Sequence, residues 1–99
     1  MIHIKNKHTY KGAGYFCGRP SVLGNPFRIG VDGTRDEVIE KYRVWFEDAL
    51  TNDEAVLLEF DRLVQAYKDF GELTLICWCS PKRCHGEIIK EFILEAAGD

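Results

Sequence analysis

The hydrophobic pattern changes period between Leu73 and Ile93. Leu73 to Trp78 alternates and is bounded by Gly71 and Pro81, which predicts a short buried strand. Ile88, Ile89, Phe92 and Ile93 then recur at helical spacing. The seam between them holds Cys77, Cys79, Cys84 and His85, which are three of the four cysteines and one of the three histidines. A strand that gives way to a helix over so short a connection predicts an α/β unit. In open α/β sheets such a seam is where ligands bind, outside the carboxyl end of a strand and against a helix N-terminus.

The remaining segments fit the same class. Ile2 to Lys5 alternates as a first strand, and Tyr15-Phe16-Cys17 is a short second one after Gly12-Ala13-Gly14. From Gly18 to Gly33 runs a long loop with Pro20 and Pro26. Its apolar residues, Val22, Leu23, Phe27, Ile29 and Val31, predict an ordered rather than a disordered segment. Thr34-Arg35-Asp36-Glu37 reads as a capping box, followed by an apolar face of Val38, Tyr42, Trp45 and Ala49. Thr51-Asn52-Asp53-Glu54 reads as a second box, opening a helix with Val56, Phe60, Leu63, Val64 and Tyr67 and stopping at Gly71. The order strand, strand, helix, helix, strand, helix implies one α/β domain over 1–99. Its small sheet would be largely parallel, covered by about three helices, with a ligand crevice at the C-terminal ends of the strands.

Size and charge narrow the functions. A 99-residue domain has little room for an internal cavity, so a sizeable ligand should lie in a surface cleft or between subunits. This points to a homo-oligomer, as do the aromatic residues Trp45, Phe46, Phe60 and Tyr67 on more than one helix face. Thirteen lysines and arginines stand against 16 acidic residues with no basic block, which weighs against nucleic acid as a partner. No apolar run approaches the roughly 18–20 residues of a membrane span, and the N-terminus carries no signal-peptide core. A cytoplasmic protein without a membrane partner is therefore expected. There, cysteines are reduced thiols or metal ligands rather than a disulfide framework.

The cysteine seam admits several chemistries. Cys77 and Cys79 should leave the same face of a strand. With Cys84 and His85 they have the ligand types of a zinc site, but not the usual knuckle spacing, so no metal and no cofactor is expected. Cys77 alone reads first as a small core residue of a buried strand. Cys84, placed in a helix's first turn beside Lys82, Arg83 and His85, is expected to be a low-pKa thiolate, a nucleophile or redox-sensitive. The same turn without chemistry is an anion site, in which helix amides flanked by Lys82, Arg83 and His85 suit a phosphate.

The long loop extends that site if both strands are parallel neighbours, because both loops then overhang one crevice. Gly18 and Gly24 allow close backbone approach, Arg19 offers a bidentate fork, and Asn25 can read a base or ribose edge. Ser21 is either a phosphate donor or a turn residue. Arg35 opposes the dipole of its own helix, and so either faces an anion or is an ordinary exposed arginine. Tyr10, Tyr15 and Trp78 could stack on a base, or belong to the core.

Three strings carry a family resemblance: Gly18-Arg19-Pro20-Ser21-Val22-Leu23-Gly24-Asn25-Pro26-Phe27, Thr34 to Tyr42, and Cys77-Trp78-Cys79 through Pro81 to Cys84-His85-Gly86. In this order they resemble the signature blocks of domain-of-unknown-function family 4326, small proteins of bacteria and their phages. A cysteine at a strand end followed by Cys-His opening a helix is also similar to family 488 of the same type. The resemblance implies an α/β nucleotide-binding-like fold and a viral context, and it names no reaction. The residues and the resemblance together suggest binding, or sequestration, of a phosphate-bearing nucleotide-derived small molecule, such as a host signal captured by a phage protein in the host cytoplasm. The alternative is an enzyme acting on a nucleotide-type substrate through Cys84 and His85 or a zinc ion.

Overall fold

A computed structural model describes residues 1–80 and 82–98. Pro81, the expected strand boundary and a member of the third string, lies outside the described residues. The chain forms strands β1 (Ile2–Asn6), β2 (Tyr15–Phe16) and β3 (Leu73–Cys77), and helices α1 (Arg35–Asn52), α2 (Glu54–Phe70) and α3 (Gly86–Ala96). The sheet is three-stranded, all parallel, in the order β1-β3-β2.

Strand β3 is central because it is the most apolar of the three. Leu73, Leu75 and Cys77 are almost fully buried and join the helices in one core. Ile76, on the opposite face, meets Gly14, where even a methyl group would come within 2.9 Å of the isoleucine Cδ1. Asn6 pairs in register with Cys77, and Phe16 with Ile76, so all three strands end at the same edge of the sheet. The Cys17 amide continues the ladder by donating to the Ile76 carbonyl at 2.9 Å. The loops after β2 and β3 therefore start side by side, as the sequence predicts for parallel neighbours.

The Thr34 capping box is complete. Thr34 Oγ1 accepts from the Glu37 amide at 3.3 Å, and Glu37 Oε1 accepts from the Thr34 amide at 2.9 Å. The second box is not where the sequence places it. Helix α1 runs on through Thr51 and Asn52, and Asp53 caps α2, its carboxylate accepting from the Ala55 and Val56 amides. A carboxylate two residues further on competes successfully with the threonine, because it satisfies two orphan amides at a helix N-terminus. Gly71 ends α2 at φ 71°, the left-handed conformation that glycine adopts without a Cβ clash.

Two further expectations change. Strand β3 ends at Cys77, so Cys79 sits in the following bend rather than on the same strand face. Helix α3 begins at Gly86 with His85 as its N-cap residue, which leaves Cys84 just outside the first turn. No helix among the described residues is long and apolar enough to cross a membrane.

Candidate functional site

Both loops leave the same sheet edge, and they are tied to each other. The Trp78 indole donates from Nε1 to the Arg19 carbonyl at 3.1 Å. Gly18 lies under that indole, so a Cβ there would come within 2.8 Å of Trp78 Cδ1. From the other edge, Asn6 Nδ2 donates to the Trp78 and Ser80 carbonyls at 3.2 and 2.7 Å. Between the loops and the start of α1 is a pocket of about 80 Å³, lined by Gly18, Arg19, Asn25, Phe27, Ile29, Arg35, Val38, Ile39, Trp78, Cys79, Arg83, Cys84 and His85.

The charges around it are unequal in availability. Arg83 faces away toward carboxylates, with Nη1 2.9 Å from Asp36, Nη2 3.1 Å from Glu40 and Nε 3.2 Å from Glu87. Its carbonyl accepts from Arg35 Nη1 at 3.0 Å, which holds the Arg35 fork at the pocket wall with its other donors free of partners among the described residues. The Arg19 side chain makes no hydrogen bond or ion pair among the described residues. His85 is buried, and its Nε2 stands 2.6 Å from the Cys17 carbonyl, an acceptor only, so the ring donates there and is held as one neutral tautomer. Burial pushes its pKa down, and the Arg19 charge adds to this. The Tyr42 ring packs edge-on against it at 4.9 Å, while the Tyr42 hydroxyl donates to the Leu23 carbonyl at 2.8 Å. The available cations at the pocket are therefore Arg19 and Arg35.

Two cysteines, Cys79 and Cys84, line the pocket, and the fully buried Cys77 contacts Cys84. Cys84 Sγ lies 3.2 Å from Cys77 Sγ, and the Ser80 amide donates to Cys77 Sγ at 3.4 Å. These donors pull the Cys77 pKa down to about 6, whereas the Cys84 pKa rises because its proton is held by Cys77. The S–H···S contact thus favours a negative charge on Cys77 over one on Cys84. Cys17, buried nearby, is pushed up to about 12 by burial and by the Cys77 charge. The Cys84–Cys77 contact lowers the pKa of Cys77 and raises that of Cys84, the reverse of the order expected from the helix dipole, because S–H and amide donors point at the Cys77 sulfur. All four cysteines are free thiols. No group of three or more potential ligands is placed to hold a metal among the described residues, so Cys77, Cys79, Cys84 and His85 do not assemble into a zinc set.

The family model of the domain of unknown function DUF4326 matches residues 2–95. This chain belongs to DUF4326. No curated protein and no solved structure gives a significant match.

Seven of the ten residues singled out in the sequence line this DUF4326 pocket: Gly18, Arg19, Asn25, Arg35, Arg83, Cys84 and His85. Asn25 supports it rather than reading a ligand. Its Nδ2 donates to the Val38 carbonyl at 3.2 Å and its Oδ1 accepts from the Phe27 amide at 2.9 Å. Ser21, Gly24 and Lys82 are not among the lining residues. The Ser21 hydroxyl accepts from the Leu23 amide as a turn residue, and Gly24 packs on Arg19, its Cα hydrogen replacing a Cβ that would meet Arg19 Cγ at 2.9 Å. The Lys82 side chain is exposed. The walls that sequence reasoning missed are Phe27, Ile29, Val38 and Ile39. In sequence, Val38 and Ile39 carry only a helical apolar period, which is the same for a pocket wall as for a core.

The buried His85 gives one prediction. An imidazole with a lowered folded pKa stabilises the protein above its unfolded value of about 6.5, and that contribution is lost as the pH falls, because the unfolded chain takes up a proton that the folded one refuses. Cys77, depressed to about 6, adds loss in the same direction but over pH 9 to 6. Urea midpoints should therefore fall between pH 6.5 and 5.5, with a His85 contribution of at most about 1.4 kcal/mol per pH unit. His85→Gln should flatten that segment; an unchanged slope would mean His85 is not buried neutral.

Proposed function

We propose that this pocket binds the anionic part of a phosphate-bearing, nucleotide-type small molecule and holds it unchanged. The observation that carries the reading is the pairing of unpartnered guanidinium donors, Arg19 and Arg35, at the mouth of an apolar-walled pocket beside a half-exposed tryptophan. Guanidinium forks match phosphate oxygens in pairs, and the Trp78 ring, 43% exposed, offers a stacking face. Sequestration of a host signal by a phage-type protein is the biological form of this reading that the family context suggests. The alternative, an enzyme using Cys84 and His85, is less well supported, because His85 Nε2 is committed to a carbonyl and no acid orients the ring among the described residues.

A pocket of about 80 Å³ takes only one group of such a ligand, since clefts for drug-sized molecules run to roughly 300–1,000 Å³. Val22, Ile29 and Val31 of the long loop are exposed, Ile29 at the pocket itself, and we propose that a second copy of the chain covers them together with the rest of the ligand. The experiment is mass spectrometry of small molecules released by denaturing the purified protein, with its mass in solution from light scattering. An unaltered phosphate compound and a dimer are expected. Recovery of a reaction product after incubation with the compound would replace binding by catalysis, and a strictly monomeric mass would remove the covering copy.

A further inference from the structure

Cys77 and Cys84 approach each other across the seam from β3 to α3, with sulfurs 3.2 Å apart and no third thiol hydrogen-bonded to either among the described residues. They differ in access. Cys77 is fully buried, whereas Cys84 lines the pocket and is 4% exposed. A reagent entering the pocket therefore meets Cys84 first and finds Cys77 directly behind it. The pocket is large enough for a few water-sized molecules and too small for a bulky disulfide. Cys79, also at the pocket, is more exposed but has no thiol partner among the described residues.

We propose that Cys84 and Cys77 form a peroxide-reactive dithiol, in which Cys84 takes the oxygen and Cys77 resolves it to a disulfide. This goes beyond ligand binding and does not depend on it. In the first step the Cys84 proton passes along the S–H···S contact to Cys77. The Cys84 sulfur attacks one oxygen of hydrogen peroxide, the O–O bond breaks, Cys84 becomes a sulfenic acid, and hydroxide leaves. That hydroxide takes the proton from Cys77 and becomes water. The Cys77 thiolate then attacks Cys84 Sγ, the S–S bond forms, the S–O bond breaks, and a second hydroxide departs. Two thiol sulfurs are oxidised by two electrons and one peroxide is reduced, with the single negative charge leaving as hydroxide. A disulfide is about 2.05 Å long, so closure asks the two sulfurs to approach by about 1 Å. The product would staple the end of β3 to Cys84, two residues before α3, just behind the pocket.

The test uses the whole reduced protein, treated with equimolar hydrogen peroxide, quenched with iodoacetamide, then mapped by peptide mass spectrometry. The expected result is a linked Cys77–Cys84 peptide, the loss of two hydrogens per chain, and Cys17 and Cys79 still alkylatable after denaturation. Cys77→Ala should abolish the link and leave a Cys84 sulfenic acid that dimedone captures, which the native protein should not show. If that variant fails to fold, the map of the native protein decides alone. Four alkylatable cysteines after peroxide, or oxidation confined to Cys79, would overturn the proposal. So would a link from Cys84 to Cys17 or Cys79.

Discussion

Phe46→Ala should lower the stability of this protein by about 3–5 kcal/mol, the range found when a buried aromatic ring is truncated and a cavity remains. Phe46 is fully buried where all three helices meet. It stacks on Tyr42 of its own helix at 5.4 Å, meets Phe60 of α2 edge-on at 5.6 Å and packs against Phe92 of α3 at 5.2 Å. The loss has to be read against a total of roughly 5–15 kcal/mol for a domain, so the variant should be largely unfolded at moderate denaturant. A melting temperature lower by roughly 4–8 °C per kcal/mol is the readout. Phe46→Leu, which refills most of the volume, should recover the greater part. A loss below about 1 kcal/mol for the alanine variant would show that the helices close over the gap, and that this aromatic cluster does not hold the site's scaffold.

The second large effect concerns Arg19. Arg19→Ala should weaken binding of the compound released from the protein, or of inorganic phosphate as a probe, by about tenfold or more. Losing a charge-assisted hydrogen bond typically costs roughly 1.5–3 kcal/mol. Arg19→Lys should recover the charge but not the paired geometry, and so part of the affinity. Arg83→Ala is expected to act differently, because Arg83 faces Asp36, Glu40 and Glu87 rather than the pocket. Its loss should be smaller and indirect, through the Arg83 carbonyl that steadies Arg35. Equal affinities for Arg19→Ala and the native protein in a calorimetric titration would move the ligand out of this pocket.

How far the sequence reveals the site depends on the range of the interaction concerned. The Thr34 box and the β3 to α3 seam are local, carried by residues a few positions apart, and both are present in the structure. The misplaced second box is also local, but there two capping signals overlap within Thr51 to Glu54 and only their competition selects Asp53. The site's electrostatics come from further away. Lys82, Arg83 and His85 read as a basic cluster because they are neighbours in sequence. Asp36 and Glu40 lie on another helix and take Arg83 out of that cluster, and burial keeps His85 a neutral ring that donates to the Cys17 carbonyl. Arg83 with Glu87, four residues apart, was the one part of this that spacing could have disclosed. The order of the Cys77 and Cys84 pKa values depends on a 3.2 Å contact that no spacing rule states.

Strands β1 and β2 are not paired with each other among the described residues; β3 stands between them, and it follows α1 and α2 in the chain. During synthesis, then, residues 1–72 contain two strands with no partner for either. The ladder closes only when Leu73–Cys77 has left the ribosome, when β1 pairs along all five of its residues and β2 at Leu75 and Ile76. The pocket inherits this timing, because Trp78, Cys79 and Cys84 arrive behind the strand that completes the sheet. Closing loops of that length precedes any gain from pairing, so assembly of sheet and site is a single late event rather than a succession of independent ones.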